Sequence, residues 1–237
     1  MGIHIMPPLY KMVITPPAPP VPFPFYPEPH PEVTSVDGSV SQRYVSEGEG
    51  VDWATIIAEA GNLPEGHLTS IYAPNIKADS VTDRWLINAK GIFLFNTSRL
   101  EDAGTILSAI FSLYCWYKLD QFTIPLAIDV NVYSSNPAEN FNVVGADYAT
   151  LGSIPFCDTP IAFDDWVVGA YNDFVLNAAG LAAISKTGIT KLGTRNANYD
   201  VAGVEPNWES LKTAQIISWA SERGDGYKPK LVVTCRL

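Results

Sequence analysis

Two apolar segments separated by one polar turn dominate the hydropathy pattern of this chain. Residues 92–95 (Ile-Phe-Leu-Phe) form a run too short for a core helix, residues 96–104 carry turn chemistry, and residues 106–117 are again β-branched, aromatic and apolar. Both segments predict core strands. Residues 124–133 show the cleanest alternation, with Leu126, Ile128, Val130 and Val132 on one side and Ala127, Asp129, Asn131 and Tyr133 on the other. That is the pattern of a half-buried antiparallel strand. Further strands are predicted over 171–176, 188–194, 213–220 and 230–237. Asp37-Gly38, placed between β-branched stretches at 34–36 and 40–45, predicts a hairpin turn, because such turns need positive φ.

Two short helices interrupt the strands. Asp52 is the predicted N-cap of a helix running to Ala60 and closed by Gly61, with Trp53, Ile56 and Ile57 on one face plugging an end of the domain. Asn177 caps a second, of one or two turns, reaching Ser185. Residues 134–166 are turn-rich and predict long loops. Many short strands with two minor helices indicate an all-β fold, an antiparallel jelly-roll β-sandwich, with a barrel as the alternative.

Residues 1–31 read differently, since they hold prolines at 7, 8, 16, 17, 19, 20, 22, 24, 27, 29 and 31. Proline fixes φ and disfavours α geometry in the residue before it, so an extended proline-rich arm is predicted over 1–31, with the sandwich domain over 32–237. Leu9, Tyr10, Val13, Ile14, Phe23, Phe25 and Tyr26 give this arm more apolar surface than a spacer needs. A pre-extended chain loses little entropy on docking, so the arm is expected to pack along its own domain or a neighbouring subunit.

Composition removes several classes of function. A net charge of -10 argues against a groove for nucleic-acid phosphates, which needs clustered Lys and Arg. No apolar run is long enough to span a bilayer, so no membrane insertion is expected. The first residues lack a basic segment followed by an unbroken apolar one, which predicts a chain made in the cytoplasm without a leader. Cys115, Cys157 and Cys235 fit neither a zinc ribbon nor a redox pair, and are expected as buried thiols.

Few side chains in the sequence are spaced for chemistry. His4, His30 and His67 are the only histidines, and two of them lie in the arm, so neither a nucleophile–base pair nor a histidine metal site is expected. Asp164-Asp165, Glu47 with Glu49 and Asp158, acids in predicted turns and loops, and Asp173 on a predicted strand could serve a glycosidase in principle, but adjacent acids on a loop are usual turn formers and no pair is implied. Residues 196–200 (Asn-Ala-Asn-Tyr-Asp) offer oxygens for a structural calcium ion, but no EF-hand spacing, and no other cofactor is implied. Arg223-Gly-Asp225 reads as an ordinary turn before the last strand. Aromatic side chains in polar loops are how a sandwich holds sugar rings, which makes Trp166, Tyr171, Tyr199 and Trp208 candidate glycan contacts. Trp53, Trp85, Trp116 and Trp219 fall in periodic segments and are expected in the core.

Residues 91–100 (GIFLFNTSRL), followed by 105–114 (TILSAIFSLY), resemble the pattern of DNRLRE-type and related carbohydrate-binding-like jelly rolls. Residues 226–235 (GYKPKLVVTC) resemble their closing strand, and Thr190–Arg195 with Tyr199-Asp200 resemble the segment before it. The resemblance covers residues 33–237 and implies a non-catalytic module, found in secreted adhesive or polysaccharide-active proteins and in virion proteins of tailed phages. With the arm, the acidity and the absence of a catalytic set, it leads to the expectation of a non-enzymatic virion protein, a capsid decoration or tail component. Such a protein would be anchored to other virion subunits or to itself through the arm. A carbohydrate-binding or adhesin module, extracellular and bound to a surface glycan, is the alternative. A filament or surface-layer subunit is a third.

Overall fold

The computed structural model describes residues 19–66, 68–100 and 102–236. Its strands are β1 (Val21–Phe25), β2 (Asp37–Arg43), β3 (Leu63–Glu65), β4 (Ser70–Ala78), β5 (Trp85–Asn96) and β6 (Thr105–Asp120), followed by β7 (Val130–Ser134), β8 (Ala170–Val175), β9 (Ile189–Asn196), β10 (Thr213–Trp219) and β11 (Lys230–Arg236). Two short α-helices, α1 (Trp53–Ala58) and α2 (Ala178–Ala182), and five short 3-10 or π segments complete the regular elements among the described residues. Every strand pairing is antiparallel.

Two long strands organise the sandwich. β5 pairs with β2 along one edge and, along the other, first with β4 and then with β9. Together with β3 and β7 this makes one layer, in the order β3-β2-β5-β9-β7. β6 pairs with β8 along one edge and with β11 and then β10 along the other, while β1 adds to the outer edge of β11. β4 and β10 pair with each other and join the layers along one side. The layers meet through Phe93 and Phe95 of β5, whose rings lie 5.0 and 5.9 Å from that of Phe111 on β6. Phe174 of β8 continues the stack at 5.8 Å.

The uninterrupted apolar run of β5 has a structural cause. Phe93 and Phe95 face the main core, whereas Ile92 and Leu94 face a second, smaller one with Val36, Val40, Val143, Tyr148 and Leu151. Residues 135–152, predicted as loop, supply the last three of these and lie over the outer face of the first layer. A strand covered on both sides needs apolar residues at every position, and no alternation survives.

Several expectations are met locally. The Asp52 side chain accepts from the Thr55 N–H to cap α1, and Trp53 and Ile56 are buried beneath it. The Asn177 side chain accepts from the Gly180 N–H to cap α2. All three cysteines are buried and free.

Others are corrected. Asp37-Gly38 is no hairpin turn but the start of β2. Gly38 is required because a Cβ there would lie 2.7 Å from the Glu65 carbonyl oxygen on β3. The alternating segment at 124–133 is a strand only from Val130, for Asp120 accepts hydrogen bonds from the Leu126 and Ala127 N–H groups and holds Ala127 at φ 48°. Both faces of that strand are buried, Asn131 and Tyr133 included. β3 and β4 have no clear sequence signature. β4 contains Pro74, tolerated where the register with β10 shifts between Asn75 and Tyr72.

Part of the proline-rich segment belongs to the sheet. β1 alternates exposed Pro22 and Pro24 with Phe23, which packs against the core, and buried Phe25. Proline lacks the amide that a further strand would bind, so the edge is closed to more pairing. The Arg99 guanidinium donates to the Pro24 carbonyl and lies 4.3 Å from the Phe25 ring, fastening the strand. Tyr26 is exposed. Leu9, Tyr10, Val13 and Ile14 lie outside the described residues.

Candidate ligand-binding face

The outer face of the second layer is built from the outward positions of β6, β8, β10 and β11, where Trp116 and Tyr117 are exposed and Tyr114, Tyr171, Trp219 and Tyr227 are half-buried. On β6 and β8, Tyr114 and Tyr171 are directly paired, and their rings meet edge to face at 5.3 Å. Tyr227, in the turn before β11, packs on the other side of Tyr114 at 5.0 Å. Arg223 bridges onward, its guanidinium carbon 5.2 Å from the Tyr227 ring and 4.8 Å from that of Trp219. Trp219 stacks on Trp116 at 4.8 Å and 12°, and Trp116 touches Tyr117 at 5.7 Å. Six rings thus form one row across the layer, with Lys230 at its end, 4.3 Å over Tyr171.

A bulge creates the far end of this row. In the β6–β10 pairing Ile217 faces Tyr117 but Ser218 faces Cys115, so Trp116 is the extra residue. Strict alternation would send Tyr117 inward. The bulge instead turns both aromatics to solvent, 39% exposed for Trp116 and 37% for Tyr117. The sequence expectation that Trp116 and Trp219 belong to the core is corrected on this point, whereas Trp53 and Trp85 are buried as expected.

Two rings of the row are anchored by hydrogen bonds. The Tyr114 hydroxyl donates to the Gly169 carbonyl at 2.6 Å and the Tyr171 hydroxyl to the Lys228 carbonyl at 3.0 Å. Burial pushes the Tyr171 phenol upward from its ordinary value, so it stays a neutral donor at physiological pH. Rings fixed before binding lose little entropy when a ligand stacks on them. Beside them, Tyr26, Tyr171, Asp225, Gly226, Lys228 and Lys230 line a surface pocket of about 430 Å³.

The other aromatic candidates lie elsewhere. Trp166 is 2% exposed and packs edge to face on Phe174 at 5.8 Å, because the tight turn at Phe163–Asp165 folds it beneath the sheet. It is a core residue, not a ligand contact. The half-buried Tyr199 donates to the Leu126 carbonyl at 2.8 Å and packs against the main core. Trp208 lines a separate shallow pocket with Phe122 and Ile124. Of the four candidates only Tyr171 stands in the row, so the structure does not bring them into one site. Trp116, Tyr117 and Trp219 were missed because their exposure depends on a bulge and on which face of the layer is left uncovered.

The loop considered for calcium is committed otherwise. Asp200 is buried and accepts from the Arg195 guanidinium through both oxygens, at 2.7 and 2.9 Å, with the Lys90 ammonium 3.5 Å away. Among the described residues no group of three or more His, Cys, Asp and Glu side chains is placed to hold a metal ion. Likewise no described helix is long and apolar enough to cross a membrane.

No protein-family model matches this chain, and no curated protein matches it either.

Proposed function

We propose that this protein is a non-catalytic β-sandwich that binds a glycan on the bare outer face of its second layer. One observation carries the reading, the row from Tyr171 through Tyr114, Tyr227, Trp219 and Trp116 to Tyr117. The apolar faces of sugar rings stack on such side chains, and a row of them suits a chain of linked sugars better than a single one. The row itself supplies rings and cations and no nucleophile–base pair. In the DNRLRE-type resemblance such a role belongs to an adhesive or polysaccharide-targeting module. The test is glycan-array binding followed by calorimetry on the variants. Trp219→Ala and Trp116→Ala are expected to weaken binding about 5- to 150-fold, at the roughly 1–3 kcal/mol that an aromatic side chain contributes when a nucleic-acid base stacks on it, while Trp208→Ala leaves it unchanged. Equal loss with Trp208→Ala would move the site to the other pocket.

A second reading, a tailed-phage virion component held in place by its N-terminal segment, is favoured by β1. That strand shows how proline-rich sequence of this chain docks on a sheet edge, with alternate Phe side chains inward and prolines outward. Because β1 is part of the sandwich, the informative truncation removes residues 1–18 and not 1–31. Light scattering that shows an oligomer for the full chain and a monomer for the truncation would support an assembly role. Monomers in both would remove self-association from this reading.

A further inference from the structure

We infer that the glycan taken by this face is an anionic one, a chain bearing uronate carboxylates or sulfates. This rests on the glycan-binding reading above and goes beyond it in the chemistry of the ligand. The protein carries 25 acidic and only 15 basic residues, yet three of the basic ones, Arg223, Lys228 and Lys230, stand along the aromatic row.

The electrostatic situation of these cations differs from that of the buried ones. Arg223 and Lys230 form no ion pair among the described residues, and their contacts are the faces of Trp219, Tyr227 and Tyr171. Lys228 is paired with Asp225 at 3.0 Å, but that carboxylate is 99% exposed. A pair with its acid wholly in solvent contributes little and yields readily to another anion. Lys90, by contrast, is buried and Arg195 largely so, with Asp200 as their counter-ion.

The order of the side chains along the row suits a repeating ligand. Lys228 and Lys230 line the pocket at the Tyr171 end of the row, and Arg223 sits between Tyr227 and Trp219 further along it. Carboxylates or sulfates on successive sugars would meet cations while the sugar rings lie on the aromatics between them. A neutral chain would leave these cations unanswered, and an acidic protein gains nothing in specificity by grouping them there.

The experiment uses the full chain and paired probes. Oligomers of polygalacturonate, alginate, hyaluronan and heparan sulfate are compared by calorimetry with their carboxyl-reduced or desulfated counterparts. Linear neutral oligomers, cellohexaose and xylohexaose, complete the set. At least one acidic member is expected to bind about tenfold more tightly than its neutralised form, as two or three exposed charge pairs supply. The preference should shrink as salt shortens the screening length. The double variant Arg223→Gln with Lys230→Gln should abolish the preference for charge while keeping residual binding to the neutralised chain. Trp219→Ala should weaken both forms alike. If neutral oligomers bind as tightly as acidic ones, the inference falls and the glycan reading stands. If no member of the panel binds, both fall. If single-stranded DNA oligomers bind more tightly than every glycan, the occupant is a nucleic acid and the inference is overturned.

Discussion

The outer faces of the two layers carry the same types of side chain and use them in opposite ways. On the first layer Lys90 is buried and Arg195 largely so beneath residues 135–152, with Asp200 as counter-ion and the Tyr148 ring 3.6 Å from the Lys90 ammonium. On the second, Arg223 and Lys230 lie on aromatic rings and form no ion pair among the described residues, although Asp225 lines the same pocket as Lys230. A cation over an aromatic ring is therefore not diagnostic by itself. What separates the faces is whether the chain supplies the anion and the cover. Where it supplies both, the group is structural, and where Arg223 and Lys230 lack a paired acid, the face is the one proposed for a ligand.

The sharpest way to break this comparison is Asp200→Asn. It strands two buried cations, and loss of one partner from a buried charge group costs about 3–5 kcal/mol. Chemical denaturation should show that loss, and no loss would mean that the cluster is hydrated in solution.

A second test concerns the N-terminal attachment. Burial pushes the Asp37 carboxyl up to about 7, against hydrogen bonds from Ser221 and with added repulsion from Glu222 and Glu32. Since the folded value lies above the unfolded one, the associated stability is present below about pH 4 and lost as pH rises to about 7. Asp37→Asn should flatten that decline in thermal melts at pH 4 to 8, raising Tm most at the upper end. An unchanged pH profile would refute a buried, protonatable Asp37.

Lys90 gives a window at higher pH. Burial pushes its ammonium down to about 8, with the Asp200 carboxylate opposing the shift. Between about pH 8 and the ordinary lysine value near 10.5, the unfolded chain binds a proton that the folded one has released, so stability rises with pH there. Other groups titrate in the same range, and the informative quantity is the difference from Lys90→Met, which should lack this rise. Replacement of one buried cation by a well-packed apolar chain, with Arg195 still paired to Asp200, is expected to be neutral or mildly stabilising at pH 7.

The smallest effect on stability is expected at the bare face. Trp116→Ala and Trp219→Ala should change unfolding free energy by about 1 kcal/mol or less, as for surface positions, because their rings are largely in solvent or against each other. Denaturation midpoints near wild type, combined with lost glycan binding, would place these residues in function. A loss as large as that expected for Trp166→Ala, about 3–5 kcal/mol for a buried ring, would place them in the fold.

Legibility in the sequence followed the range of the interactions. The strands at 92–95, 106–117, 171–176, 188–194, 213–220 and 230–237, and the caps Asp52 and Asn177, could be read from neighbouring residues alone. Asp37-Gly38 misled because Gly can serve a positive φ or a close backbone approach, and only β3 decides between them. Trp166 misled because a turn-rich segment can lie on the surface or fold its aromatic inward. Tyr171 was identifiable, since it alternates at the start of a strand beside polar positions. Its partners in the row come from residues 114–117, 219 and 227, and no local pattern links them.

The sequence by itself determined that this is an antiparallel β-sandwich with short capped helices, because period-2 alternation and capping chemistry are written within a few residues. The tertiary structure alone decided which face of each layer is covered. Burial of Ile92 and Lys90 depends on residues 135–152, and exposure of Trp116 depends on a bulge set by β10. Apolar side chains are driven out of water wherever a surface is offered. Whether one is offered is settled by segments distant in sequence, and the function proposed here rests on the face where none is.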